Sequence, residues 1–243
     1  MKRISVRLKL FFAVLFLAGA RAEAGQEAVS LKTTDGCLIE AFYSAPSSGA
    51  YIFINTHGLG SDRHEWGPFE EILKAKGYGW LSLDLRGHGA SRSCGGKEAD
   101  YRKFSKAAWA DVSRDIEAAA AWLKKKGFSP KRLIFCGASI GANLSVKAAA
   151  EGRVKPAALV LLSPGLDYAG VKPELYLARN PKKILIAAAE DDPYAWNSAQ
   201  ALHGAARKKD LSPASIDGGR GHGVNMLKAR GVTQKILDWV SGL

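Results

Sequence analysis

The chain has 243 residues, 47% of them hydrophobic, which is ample for one large core, and a formal charge of +12. No basic stripe interleaved with aromatics accompanies that charge, which argues against a nucleic-acid surface, and no cysteine or histidine spacing resembles a metal site. Three cysteines, Cys37, Cys94 and Cys136, allow one internal disulfide at most.

The first residues predict an export signal. Lys2, Arg3, Arg7 and Lys9 precede an apolar run from Leu10 to Ala20, and small residues suited to cleavage follow at Ala22 and Ala24. A run of about ten residues is well short of the roughly 20 that cross a bilayer as a helix. The expectation is therefore a cleaved signal over residues 1–24 and one domain over 25–243, periplasmic or secreted, with no membrane span after cleavage. Loss of five basic residues and Glu23 takes the formal charge from +12 to +8. Lysines such as Lys124, Lys125 and Lys126 suit the C-terminal end of a helix, where cations complement the dipole.

Ala28 to Thr33 and Cys37 to Tyr43 alternate around Asp35-Gly36 and predict an antiparallel hairpin. Tyr51 to Asn55 reads as a short strand, Trp66 to Lys76 as a helix stopped by Gly77, and Gly79 to Leu83 as the next strand. Lys106 to Lys126 carries Trp109, Val112, Ile116, Ala119 and Leu123 at helical spacing. Arg132 to Cys136 leads as a strand into Gly137-Ala138-Ser139-Ile140-Gly141 and an alanine-rich helix. Strands at Ala157–Leu162 and Ile184–Ala189, a helix from Tyr194 to about Lys208, a weaker strand near Ala214–Ile216 and a closing helix from Val224 to Val240 complete the chain. Strand and helix alternate, which implies a mostly parallel sheet covered on both faces, with ligands at the C-terminal ends of the strands.

The G-x-S-x-G stretch around Ser139 fits a nucleophile elbow: a sharp, strained turn from strand to helix, with small residues on either side to avoid clashes. Serine needs a histidine to take its proton and a carboxylate to hold that histidine. Glu190-Asp191-Asp192 follows one strand and Gly221-His222-Gly223 follows the last, so Asp192 and His222 are the candidates, with Asp191 and Glu190 left open. His57 and His88 lie beside the third and fourth strands, His64 in a polar loop and His203 inside a helix. Cys136, in the strand entering the elbow, reads as a buried apolar residue, leaving Cys37 and Cys94 as the possible pair.

The order Ser139, Asp192, His222 resembles that of α/β-hydrolase-fold serine hydrolases. So do His57-Gly58-Leu59-Gly60 after the third strand and Asp84 to Ser91 after the fourth. The resemblance implies that His57 is structural and that the backbone N–H groups of Leu59 and Ile140 form an oxyanion hole. Ala189 stands where many relatives carry glycine, which keeps Asp191 in play as the acid. Only about twenty residues, Ser163 to Pro181, occupy the place of the helical cap, so the site is expected to be open. Pro164 to Tyr168 and Trp196 are possible pocket borders.

The resulting expectation is an exported carboxylesterase acting on small or medium esters through an acyl-enzyme, with no cofactor, metal or nucleic acid. A peptidase of the same fold, a catalytically idle ligand-binding module and a cofactor-free oxidase or lyase are the alternatives.

Overall fold

The computed structural model describes residues 26–243, so the expected export signal at 1–24 lies outside the described residues. Among the described residues ten strands form one sheet: β1 (Glu27–Lys32), β2 (Cys37–Ser44), β3 (Ile52–Thr56), β4 (Gly79–Leu83), β5 (Ser93–Cys94), β6 (Lys97–Glu98), β7 (Leu133–Ala138), β8 (Ala158–Leu162), β9 (Lys183–Ala188) and β10 (Ser212–Asp217). Their spatial order is β10-β9-β8-β7-β3-β4-β2-β5-β6, with β1 paired to β2. Every pairing from β10 across to β4 is parallel, whereas β2 runs antiparallel to β1, β4 and β5.

Among the described residues six α-helices accompany the strands: α1 (Gly67–Ala75), α2 (Lys106–Asp111), α3 (Ser113–Lys125), α4 (Ile140–Glu151), α5 (Pro193–Arg207) and, after the last strand, α6 (Val232–Ser241). Central strands are apolar on both faces because both faces are covered. Ile52, Ile54, Leu133, Phe135, Leu159 and Leu161 share one core with α3, α4 and α5. The intervening Phe53, Ile134, Cys136 and Val160 pack with Phe69 and Leu73 of α1 and Ile236 and Val240 of α6. Each fully buried Leu, Ile or Phe contributes about 1.5–3 kcal/mol. No helix among the described residues is long and apolar enough to cross a membrane.

The structure corrects three elements. The helix expected over 106–126 is interrupted at Val112, where Val112 N–H bonds Trp109 O and Asp115 N–H bonds Val112 O, three residues back each time. Ser113 Oγ donates to Ala110 O at 3.1 Å, a local bond that competes with the helical ladder. The closing helix expected over 224–240 is a 3-10 turn, Gly223–Lys228, followed by α6. Gly231, at φ 83°, separates them in a left-handed conformation that the helical periodicity conceals. The β5–β6 hairpin has no counterpart in the expected elements, because two-residue strands carry no periodic signal.

Cys37 and Cys94 face each other in the β2–β5 register and are disulfide-bonded, while Cys136 is free and buried. The bridge closes a loop of 57 residues. Loop-closure entropy gives such a crosslink about 4 kcal/mol, and native bridges typically contribute about 2–4. A Cys37→Ser, Cys94→Ser double variant should therefore lose about 2–4 kcal/mol of unfolding free energy in urea titrations without reductant. An unchanged midpoint would show that β2 and β4 alone hold this edge.

Candidate active site

Between β7 and α4, Ser139 adopts φ 54° and ψ −122°, a conformation rare for a residue with a side chain. Close packing imposes it. A Cβ on Gly137 would lie 2.3 Å from Gly141 O, and one on Gly141 would lie 2.4 Å from Thr56 O. The first turn of α4 thus rests directly on β3, and Thr56 Oγ1 donates to Gly141 O at 3.1 Å. The Ser139 N–H bonds Leu162 O at 2.8 Å, which leaves the side chain on the floor of a cleft with 7% of the residue exposed.

The loop after β3 lies beside this serine, since a Cβ on Gly58 would come within 3.5 Å of Ser139 Cβ. Gly58 O accepts the Ser61 N–H at 3.2 Å and lies 2.7 Å from His57 Nδ1. In a trans peptide the N–H points opposite to its C=O, so fixing Gly58 O fixes the direction of the Leu59 N–H. The Ile140 N–H opens α4 and has no intrahelical acceptor. Neither amide is engaged by a protein acceptor among the described residues.

His57 is wholly buried and both ring nitrogens are occupied. Nδ1 serves Gly58 O, and Nε2 accepts the Leu85 N–H at 3.0 Å. That pattern requires the neutral Nδ1–H tautomer. Burial, with His88 adding repulsion, lowers its pKa to about 3. Neither nitrogen is free to relay a proton. His88 is also buried, stacked 3.9 Å from Tyr101, with its pKa lowered by burial. His64 is exposed against Asp62, and His203 lies on α5.

His222 stands in the glycine-rich loop after β10, with its side chain 45% exposed. Its Nδ1 is bonded to Asp192 Oδ2. Asp192 also caps α5: its Oδ1 accepts the Ala195 N–H at 3.3 Å, so one carboxylate serves both the helix and the histidine. Asp191 Oδ1 instead accepts the Gly221 N–H at 2.8 Å and thereby braces the backbone ahead of His222. Ser163 Oγ accepts the Gly223 N–H at 2.9 Å and braces it from behind. Glu190 is exposed.

Ser139 and His222 line one cleft of about 510 Å³ with Leu59, Glu65, Asn225 and Lys228. One wall residue, Glu65, lies outside the sequence motifs, and Tyr168 of the segment expected at the pocket border stands beside His222. Tyr168 donates to Ser163 O at 3.4 Å and stands edge-on to His222. Burial, helped by the Asp192 charge, pushes the phenol up to about 12, so it remains protonated. Glu65 accepts the Gly58 N–H at 3.1 Å. Length placed Pro164–Tyr168 near the pocket, but nothing in the spacing of Glu65 singled it out. Trp196, by contrast, lines a separate cavity of about 200 Å³ between α5 and β10. The segment in the cap's place is pressed onto α4: Asn143 Nδ2 donates to Gly165 O at 2.9 Å and to Val171 O at 2.8 Å. It adds two 3-10 turns, Pro173–Leu175 and Leu177–Arg179.

An elbow serine at the C-terminal edge of this sheet defines an α/β hydrolase. Residues 48–189 match the family described as Hydrolase_4, serine aminopeptidase, S33, and the chain belongs to that family. The same fold is found in an esterase of Pyrococcus furiosus, 16% identical with a TM-score of 0.71 over 89% of this chain and 90% of that one. A thermostable carboxyl esterase from Bacillus coagulans is 12% identical, TM-score 0.72, over 90% and 98%. A puromycin-hydrolyzing peptidase of Mycobacterium tuberculosis is 17% identical, TM-score 0.70, over 89% of this chain but 39% of that one. No curated protein sequence matches the chain.

The buried neutral His57 has a consequence for stability. Its folded pKa of about 3 lies below the ordinary 6.5. Below pH 6.5 the unfolded chain therefore binds a proton that the folded state excludes. Stability should fall with pH there, by up to about 1.4 kcal/mol per pH unit from this residue. In urea titrations between pH 7 and 5, His57→Gln should show a shallower fall than the parent. Identical slopes would contradict the neutral assignment.

Proposed function

We propose that this protein is an exported serine hydrolase that cleaves carboxylic esters of small or medium size through an acyl-enzyme. The observation that carries the reading is convergence. The strained Ser139, the Asp192-bound His222 and Leu59 line one open cleft, and the unengaged amide of Ile140 follows Ser139 directly in the chain. In this reading Ser139 Oγ attacks the ester carbonyl as His222 Nε2 takes its proton. The Leu59 and Ile140 amides hold the oxyanion, and the proton returns to the departing alcohol. Water then repeats the sequence on the acyl-enzyme. Asp192 keeps the Nδ1–H tautomer that leaves Nε2 free.

Substrate size is inferred from the segment over residues 163–181, which is bonded to α4 through Asn143 and holds two 3-10 turns in place of a helical cap. Such a cleft favours soluble or flexible esters over long lipids sealed under a cap. A peptidase reading draws on the family description, and amide substrates test it directly. Export rests on the N-terminal pattern and is tested by sequencing the N-terminus of the protein recovered outside the cytoplasm; retention of Met1 would contradict it.

The protein should hydrolyse nitrophenyl esters with activity declining as the acyl chain lengthens. Ser139→Ala should lower kcat by about four orders of magnitude or more, and Asp192→Asn by about three to four, with little change in KM. Asp191→Asn should lose far less, because its carboxylate touches backbone and not the imidazole. Equal losses for the two aspartates would contradict the assignment of Asp192.

A further inference from the structure

We propose that Glu65 is a positioning residue that holds the oxyanion loop in its working shape; this rests on the hydrolase reading above. The relevant unit is Gly58, whose two flanking peptide planes are each held from outside. On the Leu59 side, Gly58 O is held by the Ser61 N–H and His57 Nδ1. On the His57 side, the Gly58 N–H is held by Glu65 Oε1 at 3.1 Å. Glycine has no side chain to restrict its own rotation, so these contacts set the direction of the Leu59 N–H. Releasing the Glu65 contact frees one plane to turn and lets the Leu59 amide drift from the position an oxyanion would occupy.

The carboxyl is well placed to act as a fixed post. Glu65 sits in a 3-10 turn, Arg63–Trp66, that is anchored independently of the cleft. Trp66 is fully buried, and Asp62 Oδ1 caps the turn by accepting the His64 N–H at 2.8 Å. The Arg63 N–H and Nη1 bond the two oxygens of buried Asp84 at 2.8 and 2.7 Å. The turn therefore ties the loop after β3 to the loop after β4 and presents Glu65 to Gly58 as one rigid piece. Accepting an amide proton requires an oxygen and not a charge, which makes glutamine a faithful substitute and alanine a deletion.

The test compares the parent, Glu65→Gln and Glu65→Ala by ester kinetics and by inhibition with an aryl trifluoromethyl ketone. That ketone accepts the Ser139 oxygen at its carbonyl carbon while the serine proton passes to His222, leaving an oxyanion on the former carbonyl oxygen. Glu65→Ala should lower kcat about 10- to 100-fold with KM within about twofold, and weaken the ketone by the same factor. Glu65→Gln should stay within about threefold of the parent on both measures. If Glu65→Ala does not fold, Glu65→Leu, which fills the space without an acceptor, carries the same expectation.

Unchanged kcat and ketone affinity in the deletion would overturn the proposal. So would a loss confined to KM, or a Glu65→Gln variant as impaired as Glu65→Ala. A parent protein that neither turns over esters nor binds the ketone would overturn the hydrolase reading and this role with it. A parent that does both beside an unaffected Glu65→Ala overturns this role alone.

Discussion

The approach of α4 to β3 at Gly141 is the constraint on which the rest of the molecule depends. With only hydrogen at Gly137 and Gly141, the chain leaves β7, reverses at Ser139 and starts a helix within van der Waals distance of Thr56. That reversal forces Ser139 into a positive-φ conformation whose cost is of order 1–3 kcal/mol, sustained by the packing of α4 among fully buried neighbours. The serine is thereby held at the C-terminal edge of the sheet, where the loops after β3, β8, β9 and β10 also arrive. Site and core are consequently one structure.

Around that point the polar groups divide into those that shape backbone and those left available. His57 spends both nitrogens on peptide groups and is kept neutral by burial. Asp84, Asp191, Asn143 and Ser163 likewise hold loops in place through backbone contacts. His222 is different: one nitrogen is held by Asp192, and the ring is nearly half exposed at the cleft. The contrast between the two histidines is one of environment, since their side chains are chemically identical.

Much of this was legible in the sequence because it is local. The elbow, the strand–helix alternation and the glycine-flanked histidine each lie within a few consecutive residues. Their chain order sufficed to place them on a common sheet edge. What escaped was written across distance or in single residues. Glu65 reaches Gly58 only because Trp66 and Asp84 seat its turn. Gly231 broke a helix that apolar spacing alone extends, and Val112 bends another where Ser113 bonds back to Ala110. The doublet Asp191-Asp192 could not be resolved by position, because both acids serve the histidine loop, one through its backbone and one through its ring.

The central question is whether Ser139 is a nucleophile activated by its surroundings. Intact-mass and peptide-mapping spectrometry after exposure to a fluorophosphonate addresses this without knowledge of the natural substrate. A single adduct should form, carried by Ser139, and should disappear when His222 is replaced by alanine in the folded protein. No adduct, or one carried by another residue, would contradict it.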